Sequence, residues 1–327
     1  MKTLLIIGGT GFVGKSFLEC FVKNRLKNFG ITKIIILSRK VEKFKKNFPL
    51  LINKNVEILK ADISKTVSLP FADLIIHAAA STEENKYSDN KKEQVIDNFK
   101  NVKNFLNIVN KKSTKNCKIL FLSSGAVYGK INEKHDSNEK NKYNILKVNQ
   151  LANAKKNYAI SKIHCEKLII KKNKKLKLDI KIARLFSFVG KHIPLNTHFL
   201  IGNILNSILK KKNFLVKSNI PENTIRSYLY ADDMVNLLLR ILLRSKSKHK
   251  IYNVGSDERY NIYQIEKIIF DNFKINFKYK KNNFDYKNSD IYFPNLERVK
   301  STFINFHYKN LRDSIASTLK NLKNNYK

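Results

Sequence analysis

Tryptophan is absent from this 327-residue chain, and cysteine, proline and glycine are scarce, at three, five and ten residues. The cysteines, Cys20, Cys117 and Cys165, lie far apart, are odd in number and form no CxxC, so they support neither a disulfide framework nor a zinc site. The histidines make no HxH or HExxH arrangement, and no metal is expected. Five prolines leave no proline-rich linker, and no segment repeats. Long apolar runs are missing too. "LLII" stops at Gly8 and "MVNLLLRILL" is broken by Asn236 and Arg240, well short of the roughly 20 residues a membrane span needs. The opening "MKTLLIIGGTG" holds too few apolar residues for a signal-peptide core, so a cytoplasmic protein with no membrane partner is expected.

Negative charge is the other shortage: 26 acidic residues face 64 basic ones, for a net charge of +38. Such a balance by itself suggests nucleic acid or another anionic surface. Only nine of the basic residues are arginine, however, and the lysines are scattered among asparagines and isoleucines along the whole chain. Arginine is the side chain that clamps phosphates and reads guanine bidentately. Scattered lysine therefore reads as compositional bias, and no specific nucleic-acid partner is expected. The field still draws in small anions, nucleotide sugars included.

At 43% hydrophobic, the chain can bury a sizeable core in one large domain or two coupled ones. Apolar, β-branched runs at 2–8, 33–38, 56–62, 73–79, 117–124 and 179–185 read as buried strands. Segments 14–29, 92–112 and 156–173 carry apolar residues at helical spacing, such as Val95, Phe99, Val102, Leu106 and Val109. This alternation predicts an α/β fold, a Rossmann-type doubly wound parallel sheet. Beyond residue 186 the pattern turns irregular, with a helix near 199–211, a short strand near 213–217, a helix over 232–243, a strand at "IYNVG" and terminal helices. The expected division is a first domain over 1–185 and, over 186–327, mainly a smaller substrate-binding lobe. That boundary is soft, since segments of the lobe can return to the first domain.

Four of the ten glycines sit together in "GGTGFVG", where a strand ends and a helix opens. A side chain there would hold the backbone off a pyrophosphate, and free N–H groups at a helix start attract its charge. A dinucleotide-binding turn is therefore expected.

The GxxGxxG spacing of Gly8, Gly11 and Gly14, together with "SSGAVYG" (123–129) and "YAISK" (158–162), resembles the extended short-chain dehydrogenases/reductases. These are the NAD-dependent epimerase/dehydratase family that modifies nucleotide sugars. The resemblance implies that Gly8, Gly9, Thr10, Gly11, Phe12, Val13 and Gly14 line the dinucleotide. It also implies that Asp62 and Ile63 flank its adenine and that Ala78, Ala79 and Ala80 lie beside its ribose. His77 reads as packing and Asn98 as structural. At the end of the second strand an acidic residue normally meets the ribose of NAD, but this chain has Ser38 and Arg39 there. NADP(H) is favoured, with NAD(H) the alternative.

The resemblance makes Ser124, Tyr158 and Lys162 the catalytic set. A free phenol titrates near ~10, so a tyrosine exchanging protons near neutrality needs a cation beside it, and Lys162 stands one helical turn on. Lys162 can also bind the cofactor ribose, while Ser124 donates to the substrate oxygen. Dehydratases of the family follow the catalytic hydroxyl residue with Asp-Glu, where this chain has Gly125 and Ala126. Neither can move a proton. The implied function is oxidoreduction at C4 of a nucleotide-diphosphate sugar, as a 4-ketoreductase or a 4-epimerase. The alternatives are a 4,6-dehydratase or decarboxylase of the same family and, from another class, a non-catalytic NADP-binding or RNA-associated protein. On the substrate side the resemblance points to Arg226 as the diphosphate anchor, to Ser187, and to His198 and Asn203 in the sugar pocket. It marks "YFPN" near the end as a contact region, and it implies a homodimer.

Overall fold

The computed structural model describes residues 1–80, 87, 93–109, 117–176, 178–195, 199–209, 224–244, 249–274 and 290–323. The first strand, β1 (Lys2–Ile7), is buried on both faces from Leu4 to Ile7. A continuous apolar run of this kind belongs to a parallel sheet covered by helices on both sides. It is followed by β2 (Ile31–Ser38), β3 (Val56–Lys60), β4 (Leu74–His77), β5 (Lys118–Ser124) and β6 (Asp179–Leu185). After the two-residue β7 (Phe188–Val189) come β8 (Thr224–Arg226), β9 (Leu229–Tyr230), β10 (Ile251–Val254), β11 (Tyr260–Asn261) and β12 (Asp290–Tyr292). The main sheet has the order β3-β2-β1-β4-β5-β6-β10, and every neighbouring pair is parallel. Its direction of growth reverses between β1 and β4, which opens a crevice at the carboxyl ends of those strands.

The helices are α1 (Phe12–Val22), α2 (Val41–Asn47), α3 (Glu93–Ile108), α4 (Ile145–Asn149), α5 (Asn153–Leu176), α6 (Leu200–Leu209), α7 (Ala231–Leu243), α8 (Ile262–Phe273), α9 (Glu297–Thr302) and α10 (Leu311–Lys323). Alternate residues of a strand face opposite ways, and β1 feeds two cores accordingly. Leu4 and Ile6 join Phe17 of α1 and Leu238 of α7. Leu5 and Ile7 join Phe105 of α3 and Ile169 of α5. A third core, built from Ile201, Leu205, Ile265, Ile269 and Ile315, belongs to α6, α8 and α10. Beside it, β8 runs between antiparallel β11 and parallel β12.

One expectation changes. The helix read over 14–29 stops at Val22, because Asn24 turns into a left-handed conformation with φ 60° and the chain passes through Lys27–Phe29 to Gly30. Arg25, just past that turn, donates to Asp232 of α7 and so ties the end of α1 down. The strand "IYNVG", one of the segments beyond 186 left free to return to the first domain, is β10 and pairs with β6 at the edge of the main sheet. The strand expected near 213–217 lies outside the described residues, as do the two ends of the helix expected over 92–112.

One buried ion pair bolts α5 to the sheet. Arg184 of β6 donates through Nε and Nη2 to Glu166 of α5, with the shortest contact 2.7 Å and side-chain exposures of 3% and 0%. The Tyr143 hydroxyl donates to the same carboxylate at 2.8 Å. The Arg184 guanidinium also stacks over the rings of Tyr128 and Tyr143, with 4.8 and 5.5 Å to their centroids. Removing one partner of such a pair strands the other charge without water. Glu166→Gln is therefore expected to cost about 3–5 kcal/mol, read as a lower urea midpoint with an unchanged slope. A midpoint equal to wild type would show that the pair does not hold the helix.

Candidate functional site

The glycine turn joins β1 to α1 at the crevice. Gly8 has φ +81°, and a Cβ there would stand 2.6 Å from the Ala79 backbone. A Cβ on Gly14 would stand 2.0 Å from the Gly9 carbonyl. Gly11 is different: the nearest atom to its Cβ would be 3.9 Å away, so nothing in the protein demands glycine there. Gly11 caps α1 with no side-chain hydrogen bond, so no cap side chain covers the N–H groups of the first turn. Space kept free beside a bare helix start fits a dinucleotide pyrophosphate. Thr10, Phe12 and Val13 complete the turn, and Ala78 is held by its N–H donating to the Ile7 carbonyl at 2.8 Å. Ala80 continues that strand end, its N–H donating to the Ala78 carbonyl at 3.0 Å.

Farther along the crevice, the Ser38 hydroxyl lies 3.0 Å from that of Thr10 and accepts from the Lys40 N–H at 3.2 Å. Arg39 projects outward, 71% exposed, with its guanidinium 3.9 Å from Asp62. The backbone N–H and hydroxyl of Ser64 both donate to Asp62, at 2.9 and 2.8 Å. Burial pushes the Asp62 carboxyl up, but the Ser64 hydrogen bonds and the charges of Arg39 and Lys65 outweigh it and hold it below the usual carboxylate range. Ile63 is buried, and its carbonyl accepts from Asn104 of α3 at 2.7 Å.

Ser124 ends β5 and caps a short 3₁₀ turn, its Oγ accepting from the Ala126 N–H at 3.2 Å. Tyr158 and Lys162 share one face of α5. Lys162 is buried, donates from Nζ to the Leu122 carbonyl at 3.0 Å, and lies 5.8 Å from the centre of the Tyr158 ring. Burial drives the Lys162 ammonium down, opposed by the charges of Cys165 and Glu166. The Tyr158 phenol is pushed up to about 12 by burial, with a hydrogen bond to Ser124 acting the other way. Tyr87 stacks edge-on to Tyr158 at 5.2 Å. Asn98 of α3 donates to the Tyr87 hydroxyl at 2.8 Å and to Ser161 at 2.9 Å, and so fixes the wall behind Tyr158. Gly125, beside Ser124, has no room for a side chain, since a Cβ would stand 2.6 Å from the Phe186 ring.

His77 packs against Phe105 and Phe121, with ring centres 4.8 and 5.5 Å away. Neither ring nitrogen has a hydrogen-bond partner among the described residues. Burial, reinforced by the Lys162 charge, lowers the imidazole to about 3, so it stays neutral.

On the far side of the crevice, Arg226 of β8 donates to the backbone carbonyl and the carboxylate of Asp290, both at 2.6 Å. Ser187, whose carbonyl accepts from the Leu229 N–H at 3.1 Å, sits just beyond β6. Asn203 is exposed on α6, and no contact of its side chain ties it to Ser124 or Tyr158. His198 lies outside the described residues. One neighbour was not paired with Ser124 by the sequence. Tyr292 of β12 brings its hydroxyl to 3.3 Å from Ser124 Oγ. "YFPN" contains it, but no spacing rule connects positions 168 residues apart.

A model described as the NAD dependent epimerase/dehydratase family matches residues 4–255. The chain belongs to the NAD dependent epimerase/dehydratase family. A UDP-glucose 4-epimerase of Mycoplasma genitalium is 25% identical to it, over 95% of this chain and 93% of that protein. An ADP-L-glycero-D-manno-heptose-6-epimerase of Brachyspira hyodysenteriae is 23% identical, over 83% and 81%. The fold is also that of a UDP-glucuronic acid 4-epimerase from Bacillus cereus, solved with UDP-glucuronic acid and NAD. That structure has a TM-score of 0.77 and 18% identity, covering 99% of this chain and 100% of that one.

For a member of this family, the open space at Gly11 and the crowding at Gly14 separate binding from folding. Gly11→Ala should melt like wild type yet weaken NADH or NADPH binding by tenfold or more in a fluorescence titration. Unchanged affinity would mean that the pyrophosphate does not pass Gly11. His77 gives a second test. Its folded pKa lies below the unfolded value of ~6.5, so the unfolded chain takes up the proton first. Stability should be intact above that value and fall as pH drops toward about 3. His77→Phe should flatten this decline in urea midpoints between pH 6.5 and 4.

Proposed function

We propose that this chain catalyses oxidoreduction at C4 of a nucleotide-diphosphate sugar with a nicotinamide dinucleotide. One observation carries the reading: Ser124 ends β5, Lys162 reaches the Leu122 carbonyl of that strand beside Tyr158, and among the described residues no carboxylate is hydrogen-bonded to Ser124. In the oxidative direction Tyr158, as phenolate, takes the proton of the C4 hydroxyl; in the reductive direction it returns that proton to the C4 oxygen. The Lys162 ammonium favours the phenolate, against the burial that favours the phenol. Ser124 donates to the same sugar oxygen and steadies its developing charge. A bound nicotinamide dinucleotide would supply the hydride acceptor and donor for the carbon that bears that oxygen. The glycine turn, Ser38 with Arg39, Asp62 with Ile63, and Ala78 to Ala80 would hold that cofactor. Removing water from the sugar would need a further acid and base, and the Phe186 ring fills the space where a side chain on Gly125 would stand. Chemistry confined to one carbon remains.

Among the curated relatives a UDP-glucose 4-epimerase supports 4-epimerisation, while several others are UDP-glucuronic acid decarboxylases. A 4-ketoreductase is the second reading, favoured by the end of β2, where Ser38 and exposed Arg39 offer no carboxylate for a ribose 2′-hydroxyl and so favour NADP(H). We assign cofactor binding to residues 1–185 with β10 added, and the sugar nucleotide mainly to 186–327. Arg226 is the diphosphate anchor there, with Ser187, His198 and Asn203 on the sugar side. The resemblance supports a cytoplasmic homodimer, and no helix among the described residues is long and apolar enough to cross a membrane.

A panel of nucleotide sugars, incubated with NAD⁺ or NADPH and followed by mass spectrometry and NMR, tests the reading. Product with stoichiometric loss of NADPH marks a reductase, and a C4 epimer with no net cofactor change marks an epimerase. Tyr158→Phe should lower kcat by about 10²–10⁴. A Tyr158→Phe enzyme running at the wild-type rate would sink the assignment.

A further inference from the structure

Tyr87 is 1% exposed, and it is tied at two points to residues that flank Tyr158. Its backbone carbonyl accepts from Asn157 Nδ2 at 2.8 Å. Its hydroxyl accepts from Asn98 Nδ2 at 2.8 Å, and the same amide donates to Ser161 Oγ at 2.9 Å. The Asn98 side-chain oxygen accepts in turn from Gln94 at 3.2 Å, so both ends of that amide are engaged. Asn157 and Ser161 stand four apart on α5 and lie along one face, with Tyr158 directly after the first of them. Between these two ties the Tyr87 ring meets the Tyr158 ring at 82°, with centres 5.2 Å apart. Burial pushes the Tyr87 phenol up, against the Asn98 hydrogen bond, so it stays neutral and exchanges no proton itself.

We propose that Tyr87 is a positioning residue: its ring, held by Asn98 and Asn157, fixes the direction in which the Tyr158 phenol points. The phenol oxygen lies at the tip of its side chain, so a swing of the whole ring displaces it more than any other atom. A misplacement of about 1 Å can cost about 10²-fold in rate. Lys162 is poorly placed to stop such a swing, because its Nζ lies 5.8 Å from the Tyr158 ring centre and is engaged by the Leu122 carbonyl. A ring packed edge-to-face against Tyr158 is a directional contact and does stop it. An aliphatic side chain of similar volume would fill the core as well, but it would offer Asn98 no hydroxyl to hold and Tyr158 no flat partner. The tie to Asn157 adds a further property. Since Asn157 belongs to α5, Tyr87 is tethered to the helix that carries Tyr158 and keeps its place relative to it.

The inference rests on the assignment of Tyr158 as the proton carrier, and its test has two arms. In the first, Tyr87→Leu removes the ring and Tyr87→Phe keeps it. The leucine variant should lower kcat on the order of tenfold with KM within about twofold, and the phenylalanine variant should stay within about threefold of wild type. Asn157→Ala removes one tie while improving helix propensity, so it should fold. It should lower kcat about threefold in the wild-type background and have almost no further effect on Tyr87→Leu, where no ring is left to hold. Wild-type kcat in a folded Tyr87→Leu protein, an equal loss in Tyr87→Phe, or a loss confined to KM would overturn the proposal. If Tyr87→Leu does not fold, Asn157→Ala decides, and a wild-type kcat there overturns it. The second arm needs no turnover. In protein labelled with ¹³Cζ-tyrosine, Cζ lies on the axis about which the ring flips, so only a swing of the side chain moves it. The Tyr158 line, assigned by its absence in Tyr158→Phe, should be single and narrow in wild type and in Tyr87→Phe. In Tyr87→Leu it should shift and broaden by exchange, while the line of Tyr252, buried in the core on the other face of the main sheet, stays unchanged. Broadening of both lines would mean a general loosening and would defeat the proposal. If no sugar is turned over but the selective broadening appears, the function assignment fails while the positioning role stands.

Discussion

The buried pair between Glu166 and Arg184 is the constraint on which the site geometry depends. Glu166 follows Lys162 by one helical turn, and Arg184 is the penultimate residue of β6, so the pair clamps the middle of α5 against the end of that strand. A buried ion pair is poor at raising stability relative to an apolar alternative, but it tolerates very few relative positions of its two elements. Here it sets both the rotation and the height of α5. The two residues after Arg184 use that fixed position: the Leu185 carbonyl lies beside the Tyr292 hydroxyl, and the Phe186 ring covers Gly125. Three consecutive residues thus hold the helix, receive the small sheet and close off the space next to Ser124.

Around this anchor the molecule divides its labour between two kinds of surface. The main sheet offers strand ends and bare backbone: glycines crowded at Gly8 and Gly14, open at Gly11, and the first N–H groups of α1 uncapped. That is chemistry for an extended anion. The small sheet of β8, β11 and β12 offers side chains instead, an arginine held by a carboxylate and a phenol held by its ring. Near the end of β5, Lys162 is desolvated and Tyr158 packs against the edge of Tyr87. Burial works against ionising both groups, so the pair is tuned by its neighbours and by whatever fills the crevice, and not by the two side chains alone.

Much of this was legible in order along the chain. Six strands of the main sheet and the glycine turn follow from apolar runs and short spacings, because each depends on residues close together in the chain, whereas Ser124, Tyr158 and Lys162 were named by the family resemblance. Other features were not. Nothing local distinguishes β10 from a strand of the smaller lobe, since its place beside β6 is decided by packing over Tyr252 and Val254. The overlong helix at 14–29 was misread because apolar spacing persists past Val22, whereas the end is made by Asn24 and by a contact from Arg25 to a residue 207 positions away. Arg226 was visible as an arginine, but its grip on Asp290 was not.

By itself, the sequence determined the class of fold and the glycine turn that closes the first strand, because apolar periodicity and backbone freedom at glycine are properties of residues. Only the tertiary structure decided which hydroxyl stands behind Ser124, why Gly125 has no room for a carboxylate and what fixes α5. Each of those is a meeting of residues far apart in the chain, Tyr292 with Ser124, Phe186 with Gly125 and Arg184 with Glu166, and a meeting is made by packing, which no spacing records.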